Sequence, residues 1–143
     1  MRTRAFHLHG RYAAWLLILA APCLLLACKT GPYTAKAHPP VLEDTETLVL
    51  LDKPLQKNIS VEGQRAGYTP EGRLVAEAKI RNLTKDNLSI QAQTIFKDDA
   101  GMSSGDESAW QTMLLNPNAM ETYRATALNA NSKKYTIRVR LTR

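Results

Sequence analysis

Residues 135–142 read Tyr-Thr-Ile-Arg-Val-Arg-Leu-Thr, and residues 88–96 read Leu-Ser-Ile-Gln-Ala-Gln-Thr-Ile-Phe. In both, apolar and polar side chains alternate with a period of two, the repeat of a strand whose successive side chains point to opposite faces. A helix would place its apolar residues three and four apart. Here Ile137, Val139 and Leu141 fall on one side and Thr136, Arg138, Arg140 and Thr142 on the other. The alternation recurs at Leu74, Ala76, Ala78 and Ile80, and again at Tyr123, Ala125 and Ala127. Shorter candidates are Leu48 to Leu51, Ile59 to Val61 running on toward Tyr68, and Trp110 to Leu115. Turn-forming residues separate them: Pro70-Glu71-Gly72, Asn82 with Lys85-Asp86-Asn87, Asp98-Asp99-Ala100-Gly101, Asn116-Pro117-Asn118, and Asn129 to Ser132. About seven short antiparallel strands, each with one wet and one buried face, predict an all-β, immunoglobulin-like β-sandwich without a disulfide; a small open barrel is the alternative. No helix is expected in this part of the chain.

Working toward the N-terminus, the pattern changes. Arg2, Arg4 and Arg11 precede an apolar run from Ala13 to Ala27, and no acidic residue occurs before Glu43. The run is shorter than the roughly 20 residues that a spanning helix needs, so an export signal is the better reading than a transmembrane helix. Leu25-Leu26-Ala27-Cys28 closes it. This resembles the lipobox of bacterial lipoproteins. The resemblance implies cleavage between Ala27 and Cys28, a diacylglyceryl group on the Cys28 thiol and acylation of the freed amino group, with palmitate as a fitting chain. Two or three acyl chains hold a protein stably on its membrane, because each buried CH₂ contributes about 0.8 kcal/mol. Lys29 replaces the Asp linked in that class to inner-membrane retention, which points to the outer membrane facing the periplasm.

Three regions are expected: a signal peptide over 1–27, a lipidated Cys28 with a flexible tether over 28–47, and a β-sandwich domain over 48–143. The tether contains Gly31-Pro32 and His38-Pro39-Pro40 and has no apolar periodicity. The chain has 143 residues, two cysteines and a formal net charge of +6. Cys23 leaves with the signal and Cys28 carries lipid, so no thiol remains in the domain. Arg2, Arg4 and Arg11 leave too, and the remaining +3 is poor support for nucleic-acid binding. One modest core is all that this length allows.

Gly72-Arg73-Leu74, Ile80-Arg81-Asn82, Ile95 to Gly101, Trp110 with Met113, Leu115 and Pro117, Tyr123 with Ala125 and Ala127, and Ile137 to Leu141 form an ordered set of landmarks. Their succession from Leu48 to Arg143 resembles the YcfL-like family of small bacterial lipoproteins. The resemblance implies an immunoglobulin-like fold facing the periplasm and brings no catalytic residue and no cofactor.

The chemistry-bearing residues point away from catalysis. His38 is the only histidine after cleavage and sits in the tether, where it cannot be held in catalytic geometry. No cysteine nucleophile and no zinc ligand set remains. Asp98, Asp99, Asp106 and Glu107 share one long loop without the regular acidic spacing of a calcium site, and Ser103 and Ser104 lack a base. No metal and no enzyme activity are expected. Binding is the open class. Arg138 and Arg140 face away from the core, with Arg124 expected on a neighbouring strand, and form a basic stripe for an anionic lipid, a cell-wall polymer or an acidic protein face; a solubilising sheet face is the plainer reading. Trp110 is either a cap on the core or a binding platform beside the long loop. The sequence thus predicts a non-enzymatic envelope lipoprotein that binds an envelope protein partner, with a cell-wall polymer as the alternative. Asn58, Asn82 and Asn87 each begin an Asn-x-Ser/Thr triplet and are read as turn-forming residues.

Overall fold

Eight strands and two short helical turns make up residues 42–143, which are the residues that the computed structural model describes. The expected signal peptide, Cys28, His38 and most of the expected tether lie outside the described residues. The strands are β1 (Leu48–Leu50), β2 (Ile59–Tyr68), β3 (Leu74–Asn82), β4 (Leu88–Lys97), β5 (Ser103–Glu107), β6 (Gln111–Leu115), β7 (Met120–Thr126) and β8 (Lys134–Leu141). The helical turns are α1 (Leu42–Thr45) and α2 (Leu55–Asn58).

Two sheets result, and they face each other as a sandwich with no closed barrel. One runs β2-β3-β7, antiparallel throughout. The other runs β1-β8-β4, and its far side is shared: β6 pairs with Leu88 to Ala92 of β4, while β5 pairs with Ile95 and Lys97. The period-two alternation decides which face turns inward. Leu74, Ala76, Ala78 and Ile80 of β3 and Tyr123 and Ala125 of β7 meet Ile90, Ala92 and Phe96 of β4 and Ile137 and Val139 of β8. Ala78 stands beside Tyr123 across the β3–β7 pair, a small side chain next to a large buried ring. Each fully buried Ile, Leu or Phe contributes about 1.5–3 kcal/mol.

Two polar residues inside this core join the sheets. The Tyr123 hydroxyl lies 3.0 Å from both Thr94 Oγ1 and Ser108 Oγ. Asn82 is fully buried, and its Nδ2 donates to the carbonyls of Asp86 (2.8 Å), Leu115 (3.0 Å) and Asn116 (3.1 Å). Its Oδ1 accepts from the Thr84 amide at 2.9 Å, so the residue is the head of an Asx turn, as a turn-forming asparagine should be.

The structure differs from the sequence reading at four points. The loop from Asp98 to Ser108 contains β5, a polar strand (Ser-Ser-Gly-Asp-Glu) that carries no alternation to betray it. One strand pair is parallel: Leu48, Val49 and Leu50 of β1 run alongside Ile137, Arg138 and Val139. Two helical turns occur where none was expected, each of four residues and so too short for a 3.6-residue pattern to register. Finally, the tether ends earlier than residue 47. Thr136 Oγ1 donates to the carbonyls of Glu43 and Glu46, both at 2.9 Å, Lys97 Nζ donates to the Glu43 carbonyl, and the Ile137 amide donates to Thr47. These contacts lay α1 over the outer face of β8 and β4. They also explain why Ile95, Lys97 and Thr136, on the face expected to be wet, are buried.

Candidate functional site

Trp110 lies in the short link between β5 and β6, half-buried, on the outer face of the larger sheet. The Arg140 guanidinium stacks over its ring, 3.8 Å from the centroid, within the range of a cation–π contact. Arg140 Nε also donates to Gln91 Oε1 at 3.0 Å, and Gln91 Nε2 to Thr112 Oγ1 at 3.3 Å. The register places Gln91 opposite both Arg140 and Thr112, so β8, β4 and β6 together present one connected row: arginine, glutamine, threonine, with the indole beside it. Stacking and hydrogen bonding hold the Arg140 side chain in one geometry. This patch combines a flat aromatic surface with an oriented cation.

Arg138, two residues earlier, is differently placed. Its Nη2 donates to Glu43 Oε2 at 2.5 Å, both side chains being about a quarter exposed, and its Nε is buried without a hydrogen-bond partner. The basic stripe expected along β8 is therefore not free cationic surface. Docked α1 supplies a carboxylate to Arg138, Trp110 covers Arg140, and Lys134 Nζ donates to the Asp99 carbonyl at 2.6 Å. Arg124 departs further from expectation, for β7 belongs to the other sheet. It pairs with β3 because Tyr123 and Ala125 must turn into the core, and that register puts Arg124 opposite Glu77. Arg65 of β2 lies opposite Glu77 from the other side. Arg65 Nε donates to Glu77 Oε2, and Arg124 Nε is 3.5 Å from Oε1, so one carboxylate bridges two arginines across the sheet. The hydrogen bond from Arg65 is the largest cause holding the Glu77 carboxyl below its ordinary value, and the charges of Arg65 and Arg124 act in the same direction.

Two of the four acidic loop residues, Asp106 and Asp98, are occupied in building the fold. Asp106 is buried, and its Oδ2 accepts from the Leu128 amide at 2.6 Å and from the amide and side chain of Asn129 at 3.4 Å, which ties the β7–β8 connection to β5. Asp98 Oδ1 accepts from the Met102 amide at 2.9 Å, closing the β4–β5 turn. Ser104 Oγ donates to the Phe96 carbonyl, and Ser103 Oγ accepts from the Gly105 amide. Among the described residues no group of three His, Cys, Asp or Glu side chains is placed to hold a metal ion. Sequence reasoning missed Glu43, Glu77 and Arg65. The last two sit opposite each other across neighbouring strands, a relation that only the register reveals.

These features define a class: a small β-sandwich whose two outer faces carry arginine-centred polar patches. The chain belongs to the family described as "Protein of unknown function (DUF1425)", whose model matches residues 46–141. Two solved structures share the fold. One is Campylobacter jejuni cj0090, 16% identical, with a TM-score of 0.54 over 67% of this chain and 98% of that one. The other is a DUF1425 family member from Shewanella sp. pv-4, 20% identical, with a TM-score of 0.54 over 59% of this chain and 79% of that one. No curated protein sequence matches this chain.

Proposed function

We propose that this protein is a non-enzymatic lipoprotein of the bacterial envelope, anchored through acyl chains on Cys28 to the outer membrane and facing the periplasm. Its β-sandwich acts as an interaction module that binds another envelope component, a protein, at the Trp110–Arg140 patch. The observation that carries the reading is the stacked pair itself. An indole with an arginine fixed over it and bonded to Gln91 offers apolar area and a directed donor at little entropic cost, the combination that dominates protein-binding hot spots. The lipobox resemblance supports the anchor. Because the fold already holds Glu43, residues 29–41 would span at most about 45 Å from the bilayer when fully extended.

The alternative, an anionic surface or cell-wall polymer binding along β8, has less support, since Arg138 is already paired with Glu43. The test is crosslinking of the native protein in intact envelopes, with mass spectrometry of its N-terminus and of co-purifying proteins, beside Cys28→Ala and Trp110→Ala. An acylated N-terminus with one dominant protein partner, lost in Trp110→Ala while the domain stays folded, is the expected result. An unacylated, uncleaved chain, or capture unaffected by Trp110→Ala, would overturn it.

A further inference from the structure

A cavity of about 520 Å³, apart from the Trp110 patch, opens beside the segment by which the chain enters the domain. Asp44 and Glu46 line it from α1 and the link to β1, Met102 from the β4–β5 turn, and Lys97 and Lys134 from the paired ends of β4 and β8. The two lysines are direct partners in the β4–β8 ladder. Like charges opposed in this way cost stability. Lys97 is also only 6% exposed, and a lysine so buried is normally paired with a carboxylate. Here it is not. No ion pair among the described residues includes Lys97 or Lys134, and residues 1–41 hold no Asp or Glu that could supply one.

Backbone carbonyls fix both ammonium groups instead. Lys97 Nζ donates to the carbonyl of Glu43 and Lys134 Nζ to that of Asp99 at 2.6 Å, which leaves further N–H groups on each nitrogen without an acceptor among the described residues. Lys133, also in the lining, is used elsewhere: its Nζ donates to the Ala130 carbonyl at 3.3 Å and lies 5.7 Å from the Tyr68 ring centroid. The same cavity holds the carboxylates of Asp44 and Glu46, which are exposed and make no ion pair among the described residues. Opposite charges that line one cavity without neutralising each other form a dipole. A simple anion would be drawn by the lysines and repelled by the carboxylates, whereas a zwitterion satisfies both, so the arrangement discriminates by repulsion as well as attraction.

We infer that this cavity binds the phosphoethanolamine headgroup of a membrane phospholipid. A phosphodiester has one unbridged oxygen for each lysine, and the point charge of an ammonium group suits a phosphoryl group where a planar carboxylate favours the arginine fork. The primary ammonium group at the other end of the headgroup supplies N–H donors to Asp44 and Glu46. A quaternary ammonium has no N–H to give and favours a cage of aromatic rings, whereas Tyr135 is the one ring among the described residues of the lining. Two bare apolar side chains accompany the charges: Met102 in the lining, 68% exposed, and Leu42 at the head of α1, 61% exposed. They suit the acyl part of a lipid and have no use for a free headgroup. Only the choice of a lipid as the source of the headgroup rests on the proposed anchoring through Cys28, whose chain arrives at this cavity.

The experiment titrates the full-length protein in non-ionic detergent with glycerophosphoethanolamine, the water-soluble headgroup, and follows amide NMR shifts and calorimetric heats. Dimethyl phosphate, glycerophosphocholine and diaminopimelate are run in parallel. Glycerophosphoethanolamine is expected to shift the amides of Lys97, Met102 and Lys134 and to bind about tenfold or more tightly than the other three. Lys134→Gln and Asp44→Asn, both at exposed positions and checked by thermal unfolding, should each weaken it about tenfold, the loss of one charge-assisted contact. Asp44→Asn combined with Glu46→Gln should weaken glycerophosphoethanolamine while strengthening dimethyl phosphate, an inversion that a merely structural role would not give. Phosphatidylethanolamine added to the same micelles should shift these amides and that of Leu42 as well. Equal binding of dimethyl phosphate or glycerophosphocholine, no inversion in the double variant, or unaltered binding in Lys134→Gln would overturn the inference. Equal binding of diaminopimelate would assign the cavity to a cell-wall peptide and overturn it too, and no shift with phosphatidylethanolamine would overturn the lipid as source. Mass spectrometry of the N-terminus judges the Cys28 anchor separately, since the soluble probe needs no anchor.

Discussion

Asn82→Ala tests how the two sheets are held together. Asn82 ends β3 in one sheet and donates to the carbonyl of Leu115, the last residue of β6 in the other. Five hydrogen bonds use its side chain, but their loss is not uniform. The Asn116 carbonyl keeps the Ala119 amide at 3.0 Å, and the Asp86 carbonyl keeps Thr84 Oγ1 at 3.0 Å. The damage concentrates on the Leu115 carbonyl and the Thr84 amide, at about 1 kcal/mol each, with about 1 kcal/mol more for the cavity in a fully buried site. The expected loss is thus about 3 kcal/mol, which in a domain of this size lowers Tm by roughly 15 °C. Urea unfolding read by circular dichroism measures it directly. Asn87→Ala, which removes an exposed asparagine from a neighbouring triplet, is the control and should stay within about 0.5 kcal/mol. Asn82→Asp should be worse than Asn82→Ala near neutral pH, because it aims a charged acceptor at three carbonyls. A loss below about 1 kcal/mol for Asn82→Ala, with an intact native spectrum, would refute the view that this side chain clasps the sandwich.

The remaining predictions address the surface and the acidic turn. Arg140→Gln removes the cation from Trp110, which should shift the indole emission and cost at most about 1 kcal/mol; an unchanged spectrum would show that the stack does not persist in solution. Asp106→Ala unties Leu128 and Asn129 and should cost about 1.5–3 kcal/mol, with hydrogen exchange at the Leu128 amide rising far above that of the β3 core. Protection that stays as before would contradict the assigned role. Acid should loosen the outer arginine rows. The Glu62 carboxyl is held down chiefly by the Ser60 hydroxyl and Arg81, and that of Glu77 by Arg65 and Arg124. A lowered native pKa gives stability that is present above the ordinary value of 4.5 and is lost as pH falls through the native pKa values below it. Carboxyl NMR titration should place both transitions below 4.5, and Glu77→Gln should flatten the dependence; a transition at or above 4.5 would exclude the bridged geometry.

The sequence alone determined the strands that carry alternation. In β3, β7 and β8 one face had to be apolar to be buried, and a period of two states this locally, residue by residue. The all-β sandwich followed from counting such segments and the turns between them. Tertiary structure decided what has no local period. The polar β5 is a strand only because β4 offers it a free edge, and α1 is a helical turn held by Thr136, Lys97 and Ile137 from far along the chain. The candidate sites divide the same way. Trp110 and Arg140 were conspicuous by residue type, yet their stacking depended on how β8, β4 and β6 pair. Arg124 was assigned to the wrong sheet because strand order is a long-range property, set by which buried faces fit each other. Glu77 and its two arginines form a unit through register alone, and register is fixed when the core closes, not along the chain.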